Sequence, residues 1–309
     1  MKHLFVINPV AGGRDATPGI TAQLTELFGN SLESYEIHRT ESKGSCIDFL
    51  KKRLADETEY IRVYSCGGDG TLNEVLNGVA GFPNVSLTCH PTGTGNDFIK
   101  IFNGSAESFK NLKNLINAED TRIDILRCKC SGDNDGRYSL NICSVGLDAR
   151  VAADVHRYSR LPLIGGAGGY IMSLIFNVIR GISQEYSVTL SGAENTGRYS
   201  IIVAANGRYY GGGFYAVPEA MPDDRQIDFL VVPHISRFKL ASIVGKYKNG
   251  RHNEISDTVN WSRGGSIRVR AKSPFTVNID GEVFDTFDVT FELIENALTF
   301  AVPKGATWR

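Results

Sequence analysis

Two hydrophobic rhythms alternate along the first 120 residues of the chain. Short apolar runs of strand type cover residues 3–8, 35–40, 60–66 and 85–89. Between them, apolar residues recur every three to four positions, most clearly at Leu72, Val75, Leu76 and Val79. That spacing predicts one buried face of a helix. Repeated strand–helix units predict a parallel, doubly wound sheet whose strand C-termini are available to ligands.

From about residue 122 the rhythm changes to short, β-branched-rich runs separated by Gly, Asp and Asn. Examples are TRIDILRCKC, QIDFLVVP, FTVNID and DVTFELIE. Such runs predict an antiparallel sandwich or barrel. Helices are expected to interrupt it at 148–158, 168–180 and 237–248.

The charge balance narrows the classes of function. Lys and Arg total 33 against 34 Asp and Glu, a formal net charge of −1, which argues against charge-driven binding of nucleic acid. No run reaches the ~18 consecutive apolar residues of a membrane span, and the N-terminus has no cleavage signature. We therefore expect a cytoplasmic protein that attaches at most peripherally, at the inner face of the membrane.

The six cysteines have no spacing that is typical of a zinc site. They occupy positions 46, 66, 89, 128, 130 and 143, and the C-x-C at 128–130 has no second pair. Several alternate within apolar strands. We expect free, buried thiols in a reducing compartment.

A glycine-rich junction follows the third predicted strand. Residues 64–78 read YSCGGDGTLNEVLNG, so an apolar strand passes into a helix through three glycines and one carboxylate. Glycine allows positive φ and close approach to a ligand, and a helix N-terminus favours an anion. Asp69 is unfavourable beside a bare phosphate but suits one that is bound with Mg²⁺. The alternative is an ordinary glycine-rich turn in which Asp69 caps the helix.

Two further strand ends carry similar loops. HPTGTGNDF (90–98) follows the fourth strand, and its Asn-Asp pair is predicted to open a helix. INPVAGG (7–13) follows the first strand. Neighbouring strand ends form one crevice, whose candidate binding residues are Asn8, Thr94, Gly95, Asn96 and Asp97. No loop matches the P-loop or the dinucleotide fingerprint, which disfavours both classes.

The ordered motifs closely resemble the bacterial diacylglycerol kinase family, soluble lipid kinases related to sphingosine and ceramide kinases. N-P-x-A-G-G, G-G-D-G-T-x-N-E-V-x-N-G and G-T-G-N-D occur in that order. NICSVGLDARVA (141–152), ANGRYYGGGFYAVPEAMPDD (205–224) and NIDGEVF (278–284) resemble later motifs of the family. The resemblance spans almost the whole chain.

The resemblance implies an ATP-dependent kinase that phosphorylates a lipid hydroxyl. It implies an α/β kinase-type, Rossmann-like domain of the NAD-kinase and phosphofructokinase type, followed by a larger antiparallel β-rich sandwich domain. The first would cover 1–121 with a returning tail at about 300–309, and the second, lipid-substrate domain would cover 122–299.

The resemblance also assigns residues to the nucleotide. Thr40 and Thr94 would contact ATP, and Asp69 would face the phosphates and the catalytic Mg²⁺. The glycine loop would contact ATP through Cys66, Gly67, Gly68, Asp69, Gly70, Thr71 and Leu72.

Glu282, in the D-G-E motif, matches the family's general base. Such a base must lie within hydrogen-bond reach of the attacking hydroxyl and needs positioning more than strong basicity. The structural interpretation is a tight hairpin, because Asp280-Gly281 between apolar runs is a strong type I′ turn signal. The two interpretations are compatible.

A structural Mg²⁺ site is implied at EAMPDDRQIDF (219–229). The side chain of Asp224 and the main-chain carbonyls of Met221 and Gln226 would hold the ion. Arg225 stands where the family has Gly, so a required positive φ would strain it, and its charge would lie near the ion. The alternative is a plain acidic turn.

The acceptor and its membrane contact are less well defined by the sequence. Diacylglycerol or a related glycerolipid is the expected substrate, and other lipid alcohols and sphingoid bases stay open. Residues 156–176 could enter a bilayer interface through Arg157, Arg160, Leu161, Leu163 and Ile164, or form a core helix through Ile171, Leu174, Ile175 and Val178. A homodimer through exposed β-edges is a further expectation.

Two other functions compete with the lipid kinase. An NAD kinase or phosphofructokinase relative shares the Gly-Gly-Asp-Gly loop, although Asn73-Glu74 and Gly-Thr-Gly-Asn-Asp favour the lipid kinases. A sensor that binds nucleotide without turnover is disfavoured because Asp69 and Glu282 are both present.

Overall fold

The computed structural model describes residues 1–29, 33–102, 106–133, 135–159 and 166–308, and only the backbone at 106, 155–159 and 166–171. The chain forms two compact units. Unit 1 comprises Met1–Ile125 and Ile294–Arg309, and unit 2 comprises Leu126–Leu293. The domain bounds predicted from the sequence lie a few residues from these limits.

Unit 1 contains a parallel sheet, as the strand–helix alternation predicts. Its strands are β1 (Lys2–Ile7), β2 (Ser34–Arg39), β3 (Ile61–Gly67) and β4 (Val85–Pro91), arranged side by side in the order β2-β1-β3-β4. Thr299 and Phe300, in the last strand β15 (Glu282–Val302), pair in parallel with β4. The hydroxyl of Thr88 donates to the carbonyl of Ala301 at 2.7 Å. The chain's last strand thus completes the sheet of the first unit.

Helices follow the strands of unit 1 at the predicted places. They are α1 (Thr17–Phe28), α2 (Ser45–Leu54), α3 (Asp69–Val79), α4 (Ala106–Lys110) and α5 (Leu112–Ile116). The predicted face of α3 is buried in the core. The prediction that a helix begins at Asn96 and Asp97 was wrong. Asn96 has φ of 49°, and Phe98–Ile101 forms one 3₁₀ turn instead.

Unit 2 is the antiparallel sandwich that the short β-rich runs predict. Before β15, its strands are β5 (Glu119–Cys130), β6 (Arg137–Ser139), β7 (Ile142–Gly146), β8 (Gln184–Leu190), β9 (Ala193–Ala205), β10 (Tyr209–Tyr210), β11 (Phe214–Tyr215), β12 (Ile227–Pro233), β13 (Asn260–Gly264) and β14 (Ser266–Ile279). One core cluster includes Phe229, Phe275 and Phe291. Inward-facing side chains of paired strands thus supply a shared core.

Three helices accompany these strands where the sequence predicts them. They are α6 (Leu147–Ser159), α7 (Gly166–Arg180) and α8 (Arg237–Lys248). A second core cluster joins Leu147 and Val151 of α6, Leu240 and Tyr247 of α8, and Val203 of β9. The apolar faces of α6 and α8 therefore pack on the strands of unit 2.

Two turns explain conspicuous residues in the sequence. Asp280 and Gly281 have φ of 49° and 94°, and Ile279 pairs with Glu282, which confirms the hairpin between β14 and β15. At the turn between β10 and β11, all three glycines from 211 to 213 have positive φ. The glycine triplet thus serves a backbone conformation that other residues rarely adopt.

The cysteines match the prediction of free thiols. All six belong to the described residues, and all six are free. Cys130 is partly buried, and the other five are buried.

Candidate functional site

The strand order of unit 1 places a switch in chain direction between β1 and β3. From β1 the chain proceeds to β2 on one side, and then crosses to β3 and β4 on the other. In open parallel sheets, ligands bind beyond the carboxyl ends of the strands at such a switch point. The loops after β1 and β3 lie at this point, and the loop after β4 is next to them.

Hydrogen bonds join these three loops into one cluster. Asn8 donates from Nδ2 to the hydroxyl of Thr71 at 3.0 Å, and its amide donates to the carbonyl of Cys66 at 2.9 Å. The amides of Thr92 and Gly93 donate to the carbonyl of Gly67 at 2.9 and 3.1 Å. The crevice predicted from the three motifs is therefore present within unit 1.

The glycines of the loop cluster are required by close approach of backbone to backbone. A Cβ on Gly93 would lie 2.5 Å from the Cα of Gly68. A Cβ on Gly12, which has φ of 67°, would lie 2.2 Å from the carbonyl oxygen of Thr92. Side chains at these positions would push the loops apart. This is the physical reason for three glycine-rich strand ends in one domain.

Asp69 is oriented by the neighbouring loop. The N-cap of α3 is Gly68, so Asp69 occupies the first helical position instead of the capping position. Its Oδ1 accepts a hydrogen bond from the amide of Asp97 at 2.6 Å. A Cβ on Gly95 would lie 2.5 Å from Oδ2. The interpretation of Asp69 as a simple N-cap was therefore wrong.

The chemistry of the loop cluster fits a polyphosphate bound with Mg²⁺. The first intrahelical bond of α3 is from the amide of Leu72 to the carbonyl of Gly68. The amides of the first turn precede it and point out of the helix end, where they favour an anion. Gly67, Gly68, Asp69 and Asn96 line a small pocket here. The Asp69 carboxylate supplies the hard oxygen that Mg²⁺ prefers.

Other predicted nucleotide residues occupy different environments. Thr40 directly follows β2, and its amide donates to the carbonyl of Ile7 at 2.9 Å, which places it beside the end of β1. The side chains of Cys66 and Leu72 are buried, so these two residues shape the loop through their backbone. His90 is buried as well, and its Nδ1 lies 3.1 Å from the carbonyl of Phe109. Burial lowers the pKa of His90, as expected of a structural histidine.

Glu282 lies in unit 2, as the first residue of β15 beyond the hairpin turn. Asp280 in that turn accepts hydrogen bonds from the hydroxyl of Ser139 at 2.7 Å and from the amides of Leu140 and Ile142 at 2.9 and 3.0 Å. Apart from its place in the D-G-E motif, no sequence pattern indicates this role for Asp280. The turn that carries Glu282 is thereby fixed to the segment that leads into β7.

Unit 2 also contains an apolar cavity of about 40 Å³ that sequence reasoning did not find. Its wall includes Leu147, Val151, Leu174, Ile201, Phe214, Val232, Leu240, Ile243, Val244 and Val259. Asp148 also lines it and accepts a hydrogen bond from the hydroxyl of Ser144 at 2.5 Å. Burial raises the pKa of Asp148 to about 6. One carboxyl group thus lies in an otherwise hydrophobic wall, together with the hydroxyls of Tyr210 and Tyr247, 3.2 Å apart.

Helix α7 packs polar as well as apolar residues inward, since Leu174 and Val178 lie against the second core cluster. Ser173 and Asn177 are buried, and they donate to the carbonyl of Val151 at 2.8 Å and to Asp154 at 2.9 Å. Its exposed apolar residues are Ile175, Phe176 and Ile179, at 47%, 40% and 66%. The predicted core face was therefore wrong at Ile175, because hydrogen bonds to α6 decide which side is buried.

The exposed surface of α7 continues at the start of α8. Arg237 donates to the carbonyls of Val178 and Ile179 at 3.0 and 3.1 Å, and the adjacent Phe238 is 90% exposed. We call Ile175, Phe176, Ile179 and Phe238 the apolar surface. Part of the predicted membrane segment is not described by the structure. Residues 160–165 are outside the described residues, and so are the side chains of 155–159. Among the helices that are described, none is long and apolar enough to cross a membrane.

The residues of the implied structural Mg²⁺ site do not fit the ion. Oδ1 of Asp224 accepts a hydrogen bond from the amide of Gln226 at 3.1 Å. Its Oδ2 lies 3.9 Å from the guanidinium of Arg263. Arg225 has φ of 60°, in the left-handed region that favours glycine.

Comparison with known proteins independently supports the resemblance to the bacterial diacylglycerol kinases. Residues 2–128 match the diacylglycerol kinase catalytic domain, and residues 141–302 match the YegS C-terminal NAD kinase beta sandwich-like domain. "Putative lipid kinase SH2167" of Staphylococcus haemolyticus is 26% identical over 291 residues, which is 93% of this chain and 92% of that protein. "Putative lipid kinase MW0688" of Staphylococcus aureus strain MW2 is 25% identical over 293 residues, with 93% and 92% covered.

The fold is also similar to a solved structure. The crystal structure of "a putative diacylglycerol kinase from Bacillus anthracis str. Sterne" matches with a TM-score of 0.76 and 22% identity. The match covers 99% of this chain and 96% of that one. Both domains occur in the expected order over nearly the whole chain. The chain therefore belongs to the bacterial diacylglycerol kinase family of lipid kinases.

Proposed function

We propose that this protein transfers the γ-phosphoryl group of ATP to a hydroxyl group of a lipid, most simply diacylglycerol or a related glycerolipid. The observation that carries the proposal is the loop cluster of unit 1. There, glycines bring three strand ends into backbone contact around a helix N-terminus and one oriented carboxylate. Membership of the lipid kinase family supports the same reaction class.

The loop cluster would act by positioning and by electrostatics. The first-turn amides of α3 would bind phosphate oxygens, and Asp69, held by the amide of Asp97, would hold Mg²⁺. Bound Mg²⁺ would neutralise the charge that develops on the phosphate oxygens. Asn8 and Thr71, joined at 3.0 Å, would keep the two loops at a fixed spacing.

Glu282 would act as general base. Its carboxylate would take the proton of the acceptor hydroxyl while that oxygen forms a bond to the γ-phosphorus and ADP departs with the bridging oxygen. The hairpin supports this role, because Asp280 accepts hydrogen bonds from four groups at residues 139–142 and so fixes the turn beside Glu282.

The apolar cavity of unit 2 favours a lipid acceptor over a polar one. A polar acceptor such as a dinucleotide requires fixed hydrogen-bonding groups around most of its surface. The cavity offers aliphatic and aromatic walls with a carboxyl and two hydroxyl groups. Its volume of about 40 Å³ holds a short stretch of hydrocarbon, so a longer chain requires the cavity to widen. Acyl chains would lie among residues of α6, α7 and α8.

The apolar surface is the part of unit 2 that we propose to contact the membrane. Its residues belong to the same two helices as Leu174 and Leu240 in the cavity wall. Arg180, Arg237 and Lys239 lie next to it in sequence and would attract anionic headgroups. Peripheral attachment there would supply the lipid substrate. The predicted homodimer stays a prediction.

The decisive experiment is a transfer assay on the purified protein. It uses γ-labelled ATP, Mg²⁺ and mixed micelles that contain one candidate lipid each, with NAD as a soluble acceptor in a parallel arm. We expect label on a glycerolipid, and a fall of about 100-fold or more for Asp69→Asn with the fold retained. Glu282→Gln should lower turnover and leave ATP affinity unchanged.

Each alternative outcome has a clear meaning. Label on NAD alone would make the protein an NAD-kinase-like enzyme. ATP binding without label on any acceptor would favour the sensor. Wild-type rates for Asp69→Asn would remove the role given to that carboxylate, and loss of ATP affinity in Glu282→Gln would remove the general base.

Membrane contact is tested separately by sedimentation with anionic phospholipid vesicles. The double variant Ile179→Ser, Phe238→Ser should lose roughly a thousandfold in vesicle binding, because each side chain that is buried in the membrane contributes ~2 kcal/mol. Its turnover of a short-chain acceptor below the micellar concentration should not change. Phe287→Ser is the matched control, since Phe287 is also half-exposed but lies on β15. Equal losses in both variants would contradict the assignment.

A further inference from the structure

The segment from 219 to 228 in unit 2, here called the acidic loop, carries four carboxylates in ten residues. They are Glu219, Asp223, Asp224 and Asp228. Asp228 is fully buried in β12, and among the described residues its Oδ2 has no hydrogen-bond partner. A buried carboxylate with so few partners requires a nearby positive charge. The question is which cation supplies it.

Arg263 provides that charge from the neighbouring strand. In the antiparallel pair of β12 and β13, Arg263 stands directly opposite Asp228. Its Nε donates to Oδ1 of Asp228 at 3.0 Å, and the indole of Trp261 donates to the same oxygen at 2.7 Å. The guanidinium also stacks on the Trp261 ring, 5.2 Å from its centre. These contacts fix its position on three sides.

The same guanidinium reaches two further parts of the acidic loop. Its Nη2 donates to the carbonyl of Glu219 at 2.9 Å and lies 3.9 Å from Oδ2 of Asp224. A second arginine, Arg208, donates from Nε to the carbonyl of Ala220 at 2.9 Å. Two main-chain oxygens of the loop are therefore engaged by guanidinium groups, whose planar forks suit such oxygens.

A hydrogen bond within the acidic loop also closes its backbone turn, with no metal ion involved. Arg225 has φ of 60°, and the amide of Gln226 donates to Oδ1 of Asp224 at 3.1 Å. The side chain of Asp224 thus closes its own turn with one oxygen and faces Arg263 with the other. A divalent cation at Asp224 would lie close to the guanidinium and be repelled by it.

We propose that the guanidinium of Arg263 replaces the structural Mg²⁺ of the family as the counter-charge of the acidic loop. The fold of unit 2 is then independent of divalent metal, whatever the kinase reaction requires. The proposal does not rest on the proposed function, because it concerns folding stability in the absence of nucleotide.

The test is thermal unfolding of the full chain without nucleotide, in chelator and in millimolar Mg²⁺. We expect the same Tm in both. Arg263→Met should lower Tm by about 5 °C or more, since it leaves a buried carboxylate without its partner. Arg270→Met is the matched control, because Arg270 on β14 pairs with a single exposed carboxylate, Glu194 on β9. That change should shift Tm by much less.

Each outcome of these measurements bears on the proposal in a defined way. A rise of Tm with Mg²⁺ that disappears in Asp224→Asn would overturn the proposal, as would equal effects of Arg263→Met and Arg270→Met. A rise that persists in Asp224→Asn arises elsewhere, and the comparison of the two arginine variants then decides. If Arg263→Met does not fold, calorimetric titration of the wild-type protein with Mg²⁺ decides alone: binding that Asp224→Asn abolishes contradicts the proposal.

Discussion

The loop cluster of unit 1 and the cavity of unit 2 differ in whether backbone or side-chain atoms form them. The loop cluster consists mainly of backbone, and Gly12 and Gly93 are required because a Cβ on either would collide with another loop. The cavity consists of side chains from α6, α7, α8 and several strands, arranged around one carboxyl group. A backbone site should fail sharply on small changes, whereas a side-chain cavity should respond by degrees.

The largest effect is expected for Gly93→Ala, which tests whether the loop cluster depends on backbone contact. The added methyl group would lie 2.5 Å from the Cα of Gly68, so the two loops must separate. Misplacement of this kind costs about 100-fold in kcat/KM, and we expect ATP affinity to fall with it. Steady-state transfer and ATP titration measure both.

Gly245→Ala is the matched control for that change. Gly245 lies inside α8, where an added Cβ meets none of the described residues within 4 Å. Alanine there should stabilise the helix by up to ~1 kcal/mol and leave ATP affinity unchanged. Similar kinetics for Gly93→Ala and Gly245→Ala would contradict the view that the loop cluster depends on backbone contact.

The buried carboxyl of unit 2 predicts a dependence of stability on pH. Burial raises the pKa of Asp148 from 3.8 in the unfolded chain to about 6 in the fold, so between these values the folded state binds more protons. Its contribution is fully present below pH ~4 and is lost as pH rises through ~6. The wild-type protein should lose about 3 kcal/mol relative to Asp148→Asn over that range.

Urea unfolding of both proteins at several pH values measures this difference, since other groups contribute equally to each. A constant difference from pH 4 to pH 7 would show that Asp148 keeps an ordinary pKa. The carboxyl group would then be solvated, and the cavity would be wetter than its walls suggest.

The smallest effect is expected for Asn8→Ala. The change removes the 3.0 Å bond to the Thr71 hydroxyl and, within its own loop, the acceptor of the Val10 amide, and it leaves the backbone contacts between the loops. A neutral hydrogen bond contributes ~1 kcal/mol, so ATP affinity should weaken about fivefold. A loss as large as that of Gly93→Ala would show that side chains, and not backbone, hold the loops together.

The sequence predicts most of unit 1 because its signals are local. Strand and helix periods located β1, β3 and α3, and glycine motifs marked the strand ends. The prediction failed at Asn96, which takes the left-handed conformation and donates to the carbonyl of Gly93, while the next amide, that of Asp97, donates to Asp69 in the adjacent loop. It failed at Ile175 for a similar reason, since Ser173 and Asn177 find partners on α6.

The sequence by itself determined the two-part organisation, the three glycine loops, the hairpin that carries Glu282 and the family. These follow from residue order, because turn chemistry, hydrophobic period and motif spacing act over a few neighbouring positions. Only the tertiary structure decided the orientation of Asp69 by Asp97, the burial of Asp148 and the pairing of Arg263 with the acidic loop. In each case the deciding partner is distant along the chain, and only packing brings its charge or hydrogen-bonding group within reach.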